Sequence, residues 1–153
     1  MTDTLVVELP SLWSALVDVR AKVAQFLQST PEDVCDAAVM AASELVENAI
    51  KYGTSGKGDN TLQVKLEGAD LRVQVCSKSG AISRIDELKK TIDEIRVAPD
   101  IHELYLEHMR ISAQRQSKQT QLGLYRIAAE GGFSISVVDN GTRTCVAATR
   151  SLS

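Results

Sequence analysis

The chain lacks any apolar run that approaches the roughly 20 residues of a membrane-spanning helix. Its N-terminus lacks the pattern of a secretory signal peptide. Basic residues are also few: the net charge is −3, and the nearest approach to a basic cluster is the sparse set Arg110, Arg115 and Lys118. A nucleic-acid-binding face needs a denser array of phosphate-neutralising side chains. These absences predict a cytoplasmic protein with no membrane span and no nucleic-acid partner.

Metal-ligating residues are equally scarce. Cys35, Cys76 and Cys145 are scattered and have no C-x-x-C spacing, which favours reduced cysteines over disulfides or zinc ligands. His102 and His108 are six residues apart, so on a helix they face different sides and make a poor metal pair.

The remaining sequence predicts one domain over residues 1–153, with 44% hydrophobic and 24% charged residues. Periodicity and turn residues predict the order β-α-α-β-β-α-α-α-β-β, which indicates an α+β two-layer sandwich with a mixed, mostly antiparallel sheet and helices on one face. The predicted strands cover 4–9, 62–66, 71–75, 133–138 and 144–149, and the predicted helices cover 11–28, 31–52, 85–95, a stretch from 99, and 122–130. The polar stretch 112–121 is expected to be a mobile lid, and Asp139-Asn140-Gly141 is expected to be a type I′ turn.

The most informative segment is SELVENAIKYG at positions 43–53. Glu44 and Asn48 are four residues apart and Lys51 follows three later, so a helix places them along one edge, at the border of an apolar stripe centred on Leu45. A carboxylate, a carboxamide and an ammonium at such a border can form a pocket wall for a metal-bound polyphosphate. The alternative is a solvated helix edge with an incidental ion pair.

The run from Glu44 to Gly53 resembles the first ATP-binding motif of the GHKL superfamily, E-L-x-x-N-A-x-K-[HY], found in gyrase, MutL, histidine kinases and anti-sigma serine kinases. The resemblance implies a Bergerat-type sandwich with ATP between helices and sheet. It also implies that Asn48 holds Mg²⁺, that Glu44 acts as the catalytic base, and that Lys51 offsets phosphate charge.

Two further motifs of that superfamily are altered here. The adenine-binding Asp is absent where strand 71–76 runs into Ser77, which leaves a hydroxyl as the weaker acceptor. The glycine-rich phosphate loop survives only as Leu122-Gly123, with Gln at positions 119 and 121, and Lys118 as a side chain that can reach phosphate.

The stretches LYLEHM (104–109) and LGLYRIA (122–128) look like the small stand-alone SiaB-type serine kinases. This resemblance implies an ATP-dependent kinase of a bacterial partner-switching pathway that phosphorylates Ser or Thr on a small SiaC-like or STAS-like regulatory protein, with a homodimer as one allowed state. The missing Asp and glycines favour a different hypothesis, a non-catalytic interaction module that has kept the fold and lost the nucleotide. The intact pair Glu44 and Asn48 favours the first.

Overall fold

The computed structural model describes residues 2–9, 15–52, 60–78, 85–115 and 122–152. Five strands and five helices follow one another in the predicted order, which confirms the α+β class. The strands are β1 (Thr2–Leu9), β2 (Asn60–Glu67), β3 (Asp70–Lys78), β4 (Ser134–Asp139) and β5 (Arg143–Ser151). The helices are α1 (Ala15–Phe26), α2 (Glu32–Tyr52), α3 (Ile85–Val97), α4 (Ile101–Arg115) and α5 (Leu122–Ala129).

The five described strands form one sheet in the order β1-β2-β3-β5-β4. Every neighbouring pair of these strands is antiparallel, so the described sheet contains no parallel pair and is not mixed as the sequence had suggested. Leu71, Val73 and Val75 alternate with Arg72 and Gln74, and only the first three are buried. This alternation buries one face of the sheet against the helices.

Helix α2 lies at the centre of the helical layer and packs on β3, α1 and α5. Its stripe is built largely from small side chains, and Ala38, Ala41 and Leu45 are all at most 2% exposed. Small residues let the helix axis approach the sheet closely, and the 3.6-residue period then sends the neighbouring positions to the edge of the interface. The predicted buried stripe of α2 is therefore confirmed.

Helix α4 is covered far less than the other helices. None of its side chains over residues 101–114 is buried, and Met109 is 42% exposed. The helix continues to Arg115, so residues 112–115 of the expected lid are helical, and their mobility stays a prediction. Residues 116–121, including Lys118, lie outside the described part of the chain.

Turn glycines end two elements where the sequence expected them. Gly132 has a φ of +69°, and the N–H of Phe133 donates to the carbonyl of Ile127 at 3.4 Å, which ends α5. The connection between β4 and β5 spans residues 140–142, with Gly141 at a φ of +88°. The turn is where it was predicted: Asp139 pairs with Thr144, and the N–H of Asn140 donates to the carbonyl of Arg143 at 3.1 Å, while its type I′ geometry stays a prediction.

Candidate functional site

The polar edge of α2 carries Glu44 and Asn48 one helical turn apart, and both are half-buried. Leu45 and Ala49 beside them are buried, so the two polar residues lie at the rim of the helix-sheet interface. The carboxamide of Asn48 has no hydrogen-bond partner among the described residues. The side chain of Lys51 lies outside the described residues, as does Gly53.

Glu44 lies directly against Gly123 at the start of α5. A Cβ placed on Gly123 would collide with Oε2 of Glu44 and would lie only 3.1 Å from Cδ of that residue. The absent side chain therefore allows α2 and α5 to approach closely at this point. The first turn of a helix also carries partial positive charge, which favours a carboxylate there.

Arg126, one turn along α5, pairs with the same carboxylate. Its Nη1 donates to Oε1 of Glu44 at 3.2 Å, while its Nε donates to Oε2 of Glu130 at 2.7 Å. Glu44 is 17% exposed in this pair and Arg126 is 45% exposed. The hydrogen bond to Glu130 raises the pKa of Arg126, partial burial opposes it, and Glu44 adds a smaller raising effect. Arg126 therefore keeps a fixed positive charge beside Glu44.

A small groove of about 240 Å³ opens beside this ion pair. Its polar walls include Arg20 and Ser43, which are joined by a hydrogen bond of 3.0 Å from Nε to Oγ. Ser43 in turn donates to the carbonyl of Val39 at 2.9 Å. Of the residues predicted for a nucleotide site, only Glu44 lines this groove, and Asn48 does not.

A second polar position lies inside the sheet-helix interface. Ser77 on β3 and Thr144 on β5 are direct cross-strand partners and are 2% and 1% exposed. Both share the helix-facing side with Val75 and Val146. Neither hydroxyl has a hydrogen-bond partner among the described residues, although buried hydroxyls normally have one. The two hydroxyls can therefore accept from, or donate to, a polar group placed between the layers.

Cys76 and Cys145 form a disulfide immediately beside this hydroxyl pair. Their Cα atoms are 4.0 Å apart on opposed positions of β3 and β5. The expectation of three reduced cysteines is wrong for this pair, because 69 residues separate them in sequence and only the long-range strand pairing brings them together. Cys35 is free.

The described residues contain no group of three or more His, Cys, Asp or Glu side chains arranged to hold a metal ion. Mg²⁺ in proteins commonly takes most of its oxygen ligands from phosphates and water and only one or two from side chains. The unengaged carboxamide oxygen of Asn48 fits one such position. In the part of the chain that the structure describes, no helix is long and apolar enough to cross a membrane.

Sequence reasoning missed Arg126 and Thr144. Arg126 stands three residues after Gly123, on the same side of α5, and this spacing was a usable signal. Thr144 had no such signal, because its place opposite Ser77 depends on the pairing of β3 with β5. The predicted residues Leu122 and Gly123 do lie at the start of α5, beside Glu44.

Comparison with known proteins identifies a solved structure with a similar fold. No model of a protein family matches the chain, and no curated protein matches it. Among solved structures, the chain is similar to the crystal structure of the RsbU and RsbW domains of Rv1364c from Mycobacterium tuberculosis, with a TM-score of 0.58 and 14% identity. The match covers 97% of this chain and 32% of that one, so the chain spans about a third of its length. At this identity the likeness shows the fold alone, a sandwich of one antiparallel sheet and a layer of helices.

Proposed function

We propose that the chain binds ATP with Mg²⁺ between α2, α5 and the sheet, and phosphorylates a Ser or Thr on a small regulatory partner protein. The observation that carries this proposal is the approach of Glu44 to Gly123, with Asn48 one turn away. It places a carboxylate, a metal-competent carboxamide and a helix N-terminus at one edge of the layer interface. The likeness to a structure that contains an RsbW domain supports a role in partner switching.

Each polar group then has a distinct task. Asn48 would hold Mg²⁺ on the phosphates, the first turn of α5 would face phosphate oxygens, and Lys51 and Lys118 would offset their charge. Glu44 would accept the proton of the partner hydroxyl, a role usually worth about 10²–10⁴ in rate. Arg126 would keep that carboxylate oriented. Ser77 and Thr144 would take the place of the missing Asp at the adenine.

Nucleotide binding is tested by thermal unfolding with ATP, ADP or GTP, each with and without Mg²⁺. ATP and Mg²⁺ at about 100 times Kd should stabilise the fold by about 2.7 kcal/mol, which is a rise in melting temperature of about 5–10 °C. Asn48→Ala should remove the Mg²⁺-dependent part, whereas Glu47→Ala on the same helix should leave it. No shift with any nucleotide at millimolar concentration would refute the proposal.

A second function is a non-catalytic interaction module. The ion pair between Glu44 and Arg126 favours it, because a carboxylate already neutralised by a guanidinium is a poorer base. Glu44→Gln separates the two functions. In a kinase this variant should retain ATP binding and lose phosphate transfer. In a module, Glu44→Gln should leave partner binding unchanged and no nucleotide should bind.

A further inference from the structure

A groove of about 720 Å³ lies between the C-terminal end of α3 and the side of α4, and none of its lining residues belongs to α2 or α5. We call it the α3–α4 groove. It is lined by residues 94, 97–100, 103, 104, 107, 110, 111 and 114. It extends along α4 from Asp100 to Gln114, about 21 Å at 1.5 Å per residue.

The floor of the groove is apolar. Val97 is 76% exposed, Pro99 is exposed, and Leu104 and Ile111 are only half-buried. A helix with apolar residues at helical spacing normally buries one face. No described side chain of α4 is buried. Leu104 packs partly against the core, so the described chain covers this face of α4 only in part.

The rim of the groove is acidic. It carries the four carboxylates of Glu94, Asp100, Glu103 and Glu107 against the single guanidinium of Arg110. Two of the four carboxylates serve the fold itself. Asp100 accepts from the backbone N–H groups of residues 102 and 103 at 3.1 and 3.2 Å, which caps α4. Glu94 is bonded to His108 at 3.0 Å and to the hydroxyl of Tyr125 at 3.2 Å.

The other two rim carboxylates, Glu103 and Glu107, have no ion-pair partner among the described residues. They are four residues apart on α4, where like charges are mutually destabilising. An external cation between them would remove that repulsion. The same negative charge disfavours phosphate-rich surfaces such as nucleic acids and anionic lipids.

We propose that the α3–α4 groove docks a basic amphipathic helix of a partner protein, with apolar side chains on the floor and Lys or Arg at Glu103 and Glu107. This is helix-in-groove recognition, in which apolar anchors give affinity and charge complementarity gives orientation. The groove length suits about four helical turns. The inference concerns a different face from the nucleotide site and does not depend on ATP binding.

The test uses the full chain and a fluorescent Leu/Lys peptide of about 15 residues with leucines at helical spacing. Anisotropy at about 150 mM salt gives the affinity, and backbone NMR shifts locate the site. Glu103→Lys combined with Glu107→Lys should weaken binding at least about tenfold, because both attractive charges become repulsive. Asp3→Lys combined with Glu8→Lys makes the same net-charge change at two exposed positions of β1 and should change affinity less than about twofold.

Val97→Ser tests the floor without threatening the fold, since the side chain is already 76% exposed. It should weaken peptide binding by about threefold or more. NMR shifts concentrated at residues 94–114, together with the expected order of the variants, would support the proposal. The docking proposal would be overturned if the Leu/Lys peptide did not bind, or if the NMR shifts fell outside residues 94–114. Equal losses of affinity in the two double variants, or equal affinity for a Leu/Glu peptide, would also overturn it. If the parent protein self-associates and Glu103→Lys with Glu107→Lys abolishes this association, the groove binds a second copy of the chain instead of a partner helix.

Discussion

Glu44 and Arg126, 82 residues apart in sequence, join α2 to α5 through an ion pair of 3.2 Å. Gly123 makes this contact possible, because any side chain there would displace the Glu44 carboxylate. Arg126 also donates through Nε to Oε2 of Glu130 at 2.7 Å, so its guanidinium is shared between two carboxylates. The polar edge of α2 is therefore organised by α5, and the orientation of the proposed base depends on both helices.

The coupling between these two side chains can be measured with a double-mutant cycle in urea unfolding. Glu44→Gln, Arg126→Gln and the double variant should give a coupling free energy of about 0.5–1 kcal/mol, since Arg126 is 45% exposed and solvent weakens the pair. A parallel cycle with Glu130→Gln should give a coupling closer to that of an ordinary exposed helical pair, about 0.3–0.5 kcal/mol. A coupling near zero for Glu44 would mean that the pair does not orient the carboxylate.

Gly123→Ala tests the close approach directly. The new Cβ meets the end of a flexible side chain, so the Glu44 carboxylate moves and loses Arg126 while the backbone stays in place. Ala is also the better helix former by about 1 kcal/mol, which offsets the lost pair. We therefore expect stability within about 1 kcal/mol of the parent protein.

The same variant should nevertheless abolish the coupling between Glu44 and Arg126. If the proposed kinase activity holds, it should also lower phosphate transfer far more than it lowers stability. Arg126→Lys is the matched control, since it keeps the charge and leaves Gly123 intact. Retained coupling in Gly123→Ala would contradict the contact.

The residues that sequence reasoning located share one property: local spacing determines them. The buried stripe of α2 follows from its 3.6-residue period, and the turn at Gly131 and Gly132 follows from glycine chemistry. The spacing of Arg126 from Gly123 was a local signal for its side of α5, whereas its partner Glu44, the place of Thr144 and the disulfide partner of Cys76 could not be found in the same way. Their contacts depend on how α5 and β5 pack against elements far away in sequence, which no local pattern encodes.

For helix α4, the local pattern predicts the helix itself and does not predict how deeply it is buried. Its apolar residues have helical spacing, and the helix is where the sequence predicted it. Such spacing is typical of a helix that buries one face, but no described side chain of α4 is buried. Periodicity indicates that a face is apolar, and it cannot tell whether the cover is the same chain or another molecule.

The disulfide between Cys76 and Cys145 gives a prediction about stability. It closes a loop of 69 residues, so reduction should lower the free energy of unfolding by about 2–4 kcal/mol. Thermal unfolding with and without a phosphine reductant measures this loss. The double variant with Cys76→Ala and Cys145→Ala should unfold at the same lower temperature as the reduced parent protein, and reductant should not change that temperature.

Cys35 supplies the control for that experiment. It is the only free cysteine of the described residues, and burial is the main cause that raises the pKa of its thiol. Cys35→Ala should leave the response to reductant intact. Thiol titration of the unfolded, unreduced protein should find one thiol, and three after reduction. Three thiols before reduction would show that the disulfide does not form.

The hydroxyl of Tyr125 predicts how stability changes in alkaline solution. Burial raises the pKa of Tyr125 above its ordinary value, and the nearby Glu94 carboxylate adds to the rise. A raised pKa in the folded state stabilises the protein below the unfolded value near 10, and this stabilisation is lost as pH rises through the folded pKa. Unfolding free energies of the parent protein should therefore fall above about pH 10 more steeply than those of Tyr125→Phe, by up to about 1.4 kcal/mol per pH unit. Urea unfolding between about pH 8 and 11 measures both slopes. The control Tyr105→Phe leaves Tyr125 in place and should keep the steep decline. Parallel curves for the parent protein and Tyr125→Phe would contradict the raised pKa of Tyr125.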